Sequence, residues 1–147
     1  MYSFILKRQP KSYNSWGTAS SIKKAKYKSD IESSFRNFHP SHVMLNDDLY
    51  GTLFYLFKKD VRSDVDNLSK PLWDSLSGFL FADDQQVRLR IAGGFDLSKN
   101  NFNILDLSGL KGNMVTELLD AIDQEDHIVY VECGKLNYSM FKFNLEG

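Results

Sequence analysis

An α+β fold, a mixed β-sheet with helices packed on it, is what this sequence predicts. Segments with helical and with strand periodicity alternate along the chain in the order β-α-β-α-β-α-β-β. The candidate strands concentrate Val, Ile, Tyr and Phe, residues suited to a pleated, half-buried surface. Hydrophobic residues make up 42% of the chain and aromatic residues 14%, which is a globular rather than a disordered composition. At 147 residues the chain reads as one domain over 1–147. A chain of this length buries roughly two thirds of its unfolded surface, enough for a hydrophobic core.

Taken in order, Met1–Leu6 reads as a first strand. The turn-rich stretch with Pro10, Ser12, Asn14 and Gly17 follows as a loop. Residues 19–38 predict a helix, because Tyr27, Ile31, Phe35 and Phe38 recur on one helical face. Lys23, Lys24, Lys26 and Lys28 fall largely off that face, either as a solvated surface or as a phosphate-contacting patch. His39-Pro40-Ser41-His42 ends the helix, and Pro40 opposes convergence of the two histidines on a metal. Leu49–Lys59 reads as a core strand. Asn67–Ser77 reads as a short helix closed by Gly78, with its first turn near Lys70 so that Pro71 is accommodated there. Val87–Ile91 reads as a strand with Val87, Leu89 and Ile91 on one face and Arg88 and Arg90 on the other. Met114–Ile122 is a further helix. His127–Cys133 and Tyr138–Leu145 read as a closing hairpin around Gly134.

Several function classes fall away. The single cysteine, Cys133, cannot make an internal disulfide and has no obvious base beside it, so it reads as a small buried hydrophobe. No apolar run is long enough to span a membrane. Met1–Arg8 has too short an apolar stretch for a signal peptide, and Lys7 and Arg8 follow it rather than precede it. A soluble, cytoplasmic protein is expected. The net charge is −1, but it is unevenly placed. Residues 1–60 hold 10 Lys/Arg against 5 Asp/Glu, and residues 61–147 hold 8 against 14. A phosphate-binding surface beside a carboxylate pocket has this distribution, as does ordinary sampling of surface charge.

The chemistry concentrates in one region. Side chains two apart on an extended backbone point the same way, so Asp64 and Asp66 can present both carboxylates together. Close carboxylates repel unless a cation neutralises them, and Mg²⁺, a hard ion that prefers oxygen ligands, suits the task. Asp83 and Asp84, ahead of the Val87–Ile91 strand, offer a third carboxylate. Lys70 follows Asp66 by about one helical turn and can reach the same pocket to stabilise charge on a phosphate. Asp74, one turn further, can orient Lys70 as an i,i+4 pair. Each motif alone also fits a structural role: Asp66 or Asn67 as a helix cap, Asp83-Asp84 as an acidic turn.

The segment from Asp64 to Val87, DVDNLSKPLWDSLSGFLFADDQQV, resembles the signature of the RusA family of Holliday-junction resolvases. The family pattern D-x-D-N-L-x-K is matched by Asp64, Asp66, Asn67, Leu68 and Lys70. Its helical D-x-L is matched by Asp74 and Leu76, and its D-D-x-Q-V by Asp83, Asp84, Gln86 and Val87. The first strand with Pro10, Ser12, Asn14 and Trp16 is similar to the family's N-terminal strand and P-x-x-N loop, and the helix around Tyr27-Lys28 to its first helix. The likeness covers about residues 2–91. It departs at Ala92-Gly93-Gly94-Phe95-Asp96, which lacks the basic residue often found there, and over 100–126, which is longer than the usual C-terminal end.

The resemblance implies a RusA-like fold and a homodimeric, Mg²⁺-dependent endodeoxyribonuclease, with Mn²⁺ as a substitute ion. Its substrate would be branched DNA, the four-way junction above all, cut symmetrically by phosphodiester hydrolysis in recombination and repair. Carried over by position, Asp64, Asp66 and Asp84 would hold the metal and Lys70 would be the catalytic lysine. Asp74 and Asp83 would support them. Asn14, Lys23, Lys24, Lys26, Lys28, Arg88 and Arg90 are the candidate DNA contacts. Two other readings exist: a non-catalytic branched-DNA-binding protein that kept the fold, and a sugar-nucleotide transferase using Asp-x-Asp with a metal. The second lacks a nucleotide-binding βα unit ahead of the motif.

Overall fold

The computed structural model describes residues 1–59 and 64–143. Four strands, β1 (Tyr2–Leu6), β2 (Leu49–Phe57), β3 (Val87–Asp96) and β4 (His127–Lys135), form one mixed sheet in the order β1-β4-β2-β3. β4 runs antiparallel to β1 and β2, and β3 lies parallel to β2 at the edge. The helices are α1 (Tyr13–Thr18), α2 (Ser21–Phe38), α3 (Asp66–Leu76) and α4 (Gly112–Gln124). The α+β class read from the sequence is the class observed.

The period of two in the strands sorts the core into two layers. Phe4 and Leu6, Leu49, Leu53 and Tyr55, and Val129, Val131 and Cys133 face the buried sides of α2 and α3. Ile5, Leu56, Ile128 and Tyr130 face α4, which contributes Met114, Leu118, Ala121 and Ile122. Of the helical face read from the sequence, Tyr27, Ile31 and Phe35 are fully buried and Phe38 is partly buried. α4 covers only part of its side of the sheet, leaving Phe54 42% and Ile91 45% exposed.

Three local expectations are corrected. α1 is an additional helix in the expected loop, capped by Ser12, whose Oγ accepts from Ser15 N–H. α3 starts at Asp66, so Pro71 sits inside it rather than in its first turn. An interior proline costs a helix about 3 kcal/mol; here the burial of Leu68, Pro71, Leu72, Trp73 and Leu76 opposes that cost. The second strand of the closing hairpin does not form: Tyr138–Met140 is a 3₁₀ turn capped by Asn137, and Asn144 and Leu145 lie outside the described residues. Both edges of β4 are already taken by β1 and β2, so no edge remains for that strand.

A β-bulge changes β3 in a way that matters for the site. Leu49 is opposite Val87 but Tyr50 is opposite Leu89, so Arg88 is the extra residue. Alternation is thereby reset. Val87 faces the α3 side, Leu89 and Ile91 fall on the other face, and Arg90, opposite Gly51, returns to the α3 side. The expected grouping of Val87, Leu89 and Ile91 on one face is therefore overturned.

α3 sits close to the sheet because residue 51 is glycine. A Cβ there would lie 2.5 Å from the Trp73 ring and 2.9 Å from a Val87 methyl. Trp73 is wholly buried, and its indole N–H donates to Ser69 Oγ at 2.8 Å. Gly51→Ala is expected to destabilise the protein by about 1–3 kcal/mol through overpacking, read as a lower denaturation midpoint in urea.

Candidate active site

The start of α3 carries Asp64 and Asp66, and the backbone decides whether they act as caps. Val65, the N-cap, has helical dihedrals and no side-chain cap bond. The first turn is closed by backbone alone, with Asn67 N–H donating to Asp64 O and Leu68 N–H to Val65 O. Neither carboxylate is used to cap the helix, and both are exposed. This turn rests on β3 at Gly94, where an added Cβ would meet Val65 Cγ1 at 2.9 Å. The stretch that lacks a basic residue thus provides a seat for the Asp64–Asp66 turn.

Further along α3, Lys70 points to a carboxylate on either side. Its Nζ donates to Asp74 Oδ1 at 2.6 Å and to Asp84 Oδ2 at 3.3 Å. Arg90 Nη2 donates to Asp84 Oδ2 at 3.1 Å and to the Asp84 carbonyl at 2.8 Å. The second oxygen of Asp74, Oδ2, accepts from the Trp16 indole N–H at 3.3 Å. Two cations and two carboxylates therefore alternate as Asp74, Lys70, Asp84, Arg90.

The adjacent aspartates have separate duties. Asp83 caps the 3₁₀ turn Asp84–Gln86, accepting from Gln85 N–H at 2.8 Å. Gln86 completes the box: its Oε1 accepts from Asp83 N–H and Ala82 N–H, and its Nε2 donates to the Leu45 and Asp47 carbonyls. With Asp83 and Gln86 holding the backbone, Asp84 is turned toward Lys70.

The electrostatics follow from the pairing. Partial burial pushes the Asp84 carboxyl up, but the Arg90 hydrogen bond and the Lys70 charge outweigh it and leave it below its ordinary 3.8. The hydrogen bond to Asp74 raises Lys70 above its ordinary 10.5; burial opposes it, and the Asp74 and Asp84 charges add to the rise. Asp84, depressed on folding, contributes stability above 3.8 that is lost as pH falls through its folded value. Lys70, raised on folding, contributes below 10.5 and loses that as pH rises through its folded value. The Lys70–Asp84 pair is expected to stay intact between about pH 4 and pH 10. An NMR titration of the Asp84 carboxyl carbon and the Lys70 ammonium checks this: neither should titrate inside that window.

No three His, Cys, Asp or Glu among the described residues stand close enough to form a metal cage. The donors fit a divalent cation in kind rather than in preformed geometry. Asp64, Asp66 and Asp84 are all hard oxygen ligands. Among the described residues, no ion pair engages Asp64 or Asp66, whereas Asp84 is shared with Lys70 and Arg90.

The candidate DNA contacts separate by their partners. Lys28 Nζ donates to the Ser77 carbonyl at the end of α3, Lys26 pairs with Asp30, and Arg88 pairs with Asp48. Lys24 lies over the Trp16 ring at 5.3 Å from its centroid. Lys23 and Asn14 are exposed. His39 and His42 bond the Ser3 and Phe79 carbonyls respectively, so both tie loops to the core. Cys133 is buried, and burial raises its thiol to about 12, which leaves it a protonated core residue. No helix among the described residues is long and apolar enough to cross a membrane.

Sequence reasoning missed three participants. Arg90 was grouped with the DNA contacts, but the bulge at Arg88 brings it to Asp84. The Trp16 N–H reaches Asp74 across 58 residues, a separation that no spacing rule signals. Gln86 was visible only as a motif letter, and its role depends on the turn it brackets.

A search among curated proteins finds no match to this chain. The family model described as endodeoxyribonuclease RusA matches residues 7–101, a span that runs from the end of β1 past β3 and takes in all of α3. That span is just under two thirds of the chain, and the chain belongs to the RusA endodeoxyribonuclease family.

Proposed function

We propose that this protein is a Mg²⁺-dependent, structure-selective endonuclease that cuts four-way DNA junctions as a homodimer, in recombination and repair. The observation that carries the reading is Lys70, held between Asp74 and Asp84 on the helix that begins at Asp66, two residues after Asp64, with neither carboxylate used as a cap. Lys70 keeps its proton, and with its side chain 46% exposed it can reach a scissile phosphate while Asp74 fixes its direction. Asp64, Asp66 and Asp84 are the residues that would hold Mg²⁺, with Mn²⁺ able to substitute. The chemistry a divalent ion would supply there is activation of a water and polarisation of a phosphoryl oxygen. Arg90 fixes Asp84 by donating to its carbonyl and to the same carboxylate oxygen that Lys70 reaches. Lys23, Lys24 and Asn14, on α1 and α2, offer cationic and polar groups for the DNA backbone. A two-fold protein would place two such centres on the two-fold strands of a junction.

A cleavage panel of duplex, flap, three-way and four-way DNA, with and without Mg²⁺, tests the proposal. Paired nicks in the four-way junction alone, with 5′-phosphate and 3′-hydroxyl ends, are expected. Junction binding with no Mg²⁺-dependent cutting would instead support the non-catalytic reading.

A further inference from the structure

We propose that Trp16 is a positioning residue for Lys70, acting through Asp74, an inference that rests on the nuclease reading above. Asp74 is held at both oxygens: Oδ1 accepts from Lys70 at 2.6 Å and Oδ2 from the Trp16 indole at 3.3 Å. A carboxylate bonded at one oxygen only can swing about its terminal torsion, which is broad and shallow. Bonded at both, it presents a fixed acceptor to the ammonium, and the ammonium keeps its reach to Asp84 at 3.3 Å. Only 27% of the Asp74 side chain is exposed, so its two hydrogen bonds are partly shielded from competing water.

The indole is itself oriented from two sides. Its ring packs edge-on against the buried Tyr27 of α2, with centroids 5.7 Å apart and planes at 68°. The Lys24 ammonium lies over the ring. α1 is too short to hold a position by its own hydrogen bonds; its Ser12 cap and the docking of Trp16 place it against α3. The link therefore joins the basic α2 surface to the lysine of the site through two side chains, Trp16 and Asp74. The chemistry asked of Trp16 is a single neutral hydrogen bond. It touches no phosphate and donates no proton in the reaction.

Two measurements test the link, and they separate its failure from that of the nuclease reading. The chain has two tryptophans, Trp16 and Trp73, so a ¹H–¹⁵N spectrum holds two indole signals. Lys70→Met should shift the Trp16 signal more than that of Trp73, whose indole bonds Ser69 and not Asp74; among the described residues Asp74 is the one hydrogen-bond partner that Lys70 and Trp16 share. Trp16→Phe, which keeps the ring packing and removes the N–H, should lower single-turnover junction cutting by about ten- to a hundredfold, as loss of outer-shell partners does. Junction affinity should be unchanged. A Trp16 signal blind to Lys70→Met overturns the inference, and so does wild-type cutting by a folded Trp16→Phe protein. If the wild-type protein itself cuts no DNA, the nuclease reading falls and the indole signal alone decides the link. The same signal decides it if Trp16→Phe fails to fold.

Discussion

Lys70→Met lowers single-turnover cutting of a four-way junction by about a hundred- to a thousandfold, the loss that follows removal of one preorganised charge-stabilising group. Its fold should hardly suffer. The Lys70 side chain is 46% exposed, and pairs of such exposure contribute about 1 kcal/mol or less. A large fall in rate with a nearly constant melting temperature distinguishes a catalytic lysine from a structural one. Lys70→Arg should not restore full activity, because a planar guanidinium cannot reproduce a compact ammonium set between Asp74 and Asp84. Quench-flow cutting and thermal melts of the three proteins supply the comparison.

Asp66→Asn removes a charge and keeps the shape. Cutting is expected to fall roughly a thousandfold, equivalent to about 4 kcal/mol of transition-state stabilisation. Asp66 is in the first turn of α3, where a carboxylate favours the helix dipole by at most about 1 kcal/mol. The folded population should therefore be nearly unchanged. Junction binding should persist or tighten, since one negative charge near the phosphates is gone. Gel shifts in Ca²⁺ and cleavage in Mg²⁺ separate the two effects. Undiminished cutting by this variant would remove Asp66 from the chemistry.

How far the sequence could be read depended on how local the signal was. The apolar face of α2 was legible because burial sets its period, and β1, β2 and β4 were legible because β-forming residues concentrate there. β3, where alternation was read directly, departed from it at one residue. The bulge at Arg88 arises from pairing with β2, and it exchanged the faces of Leu89, Arg90 and Ile91. The stretch Tyr138–Leu145 reads as a strand, yet β4 had no edge left for it to join. Lys70 and Asp74 were legible as an i,i+4 pair on a helix. The division of labour between Asp83 and Asp84 was only partly so, because it follows from the 3₁₀ turn that Asp83 and Gln86 cap. Trp16 could not be tied to Asp74 from spacing, since packing of α1 against α3 alone brings them together.

The most direct test of the account is whether Asp64, Asp66 and Asp84 act as one metal site, although in the structure they are not gathered into a cage. Mn²⁺ titrated into the isotope-labelled protein broadens nearby NMR signals. Broadening is expected to begin at Asp64, Asp66 and Asp84 together, and Asp66→Asn is expected to weaken it at all three. Broadening confined to other carboxylates, or unaffected by Asp66→Asn, would contradict it.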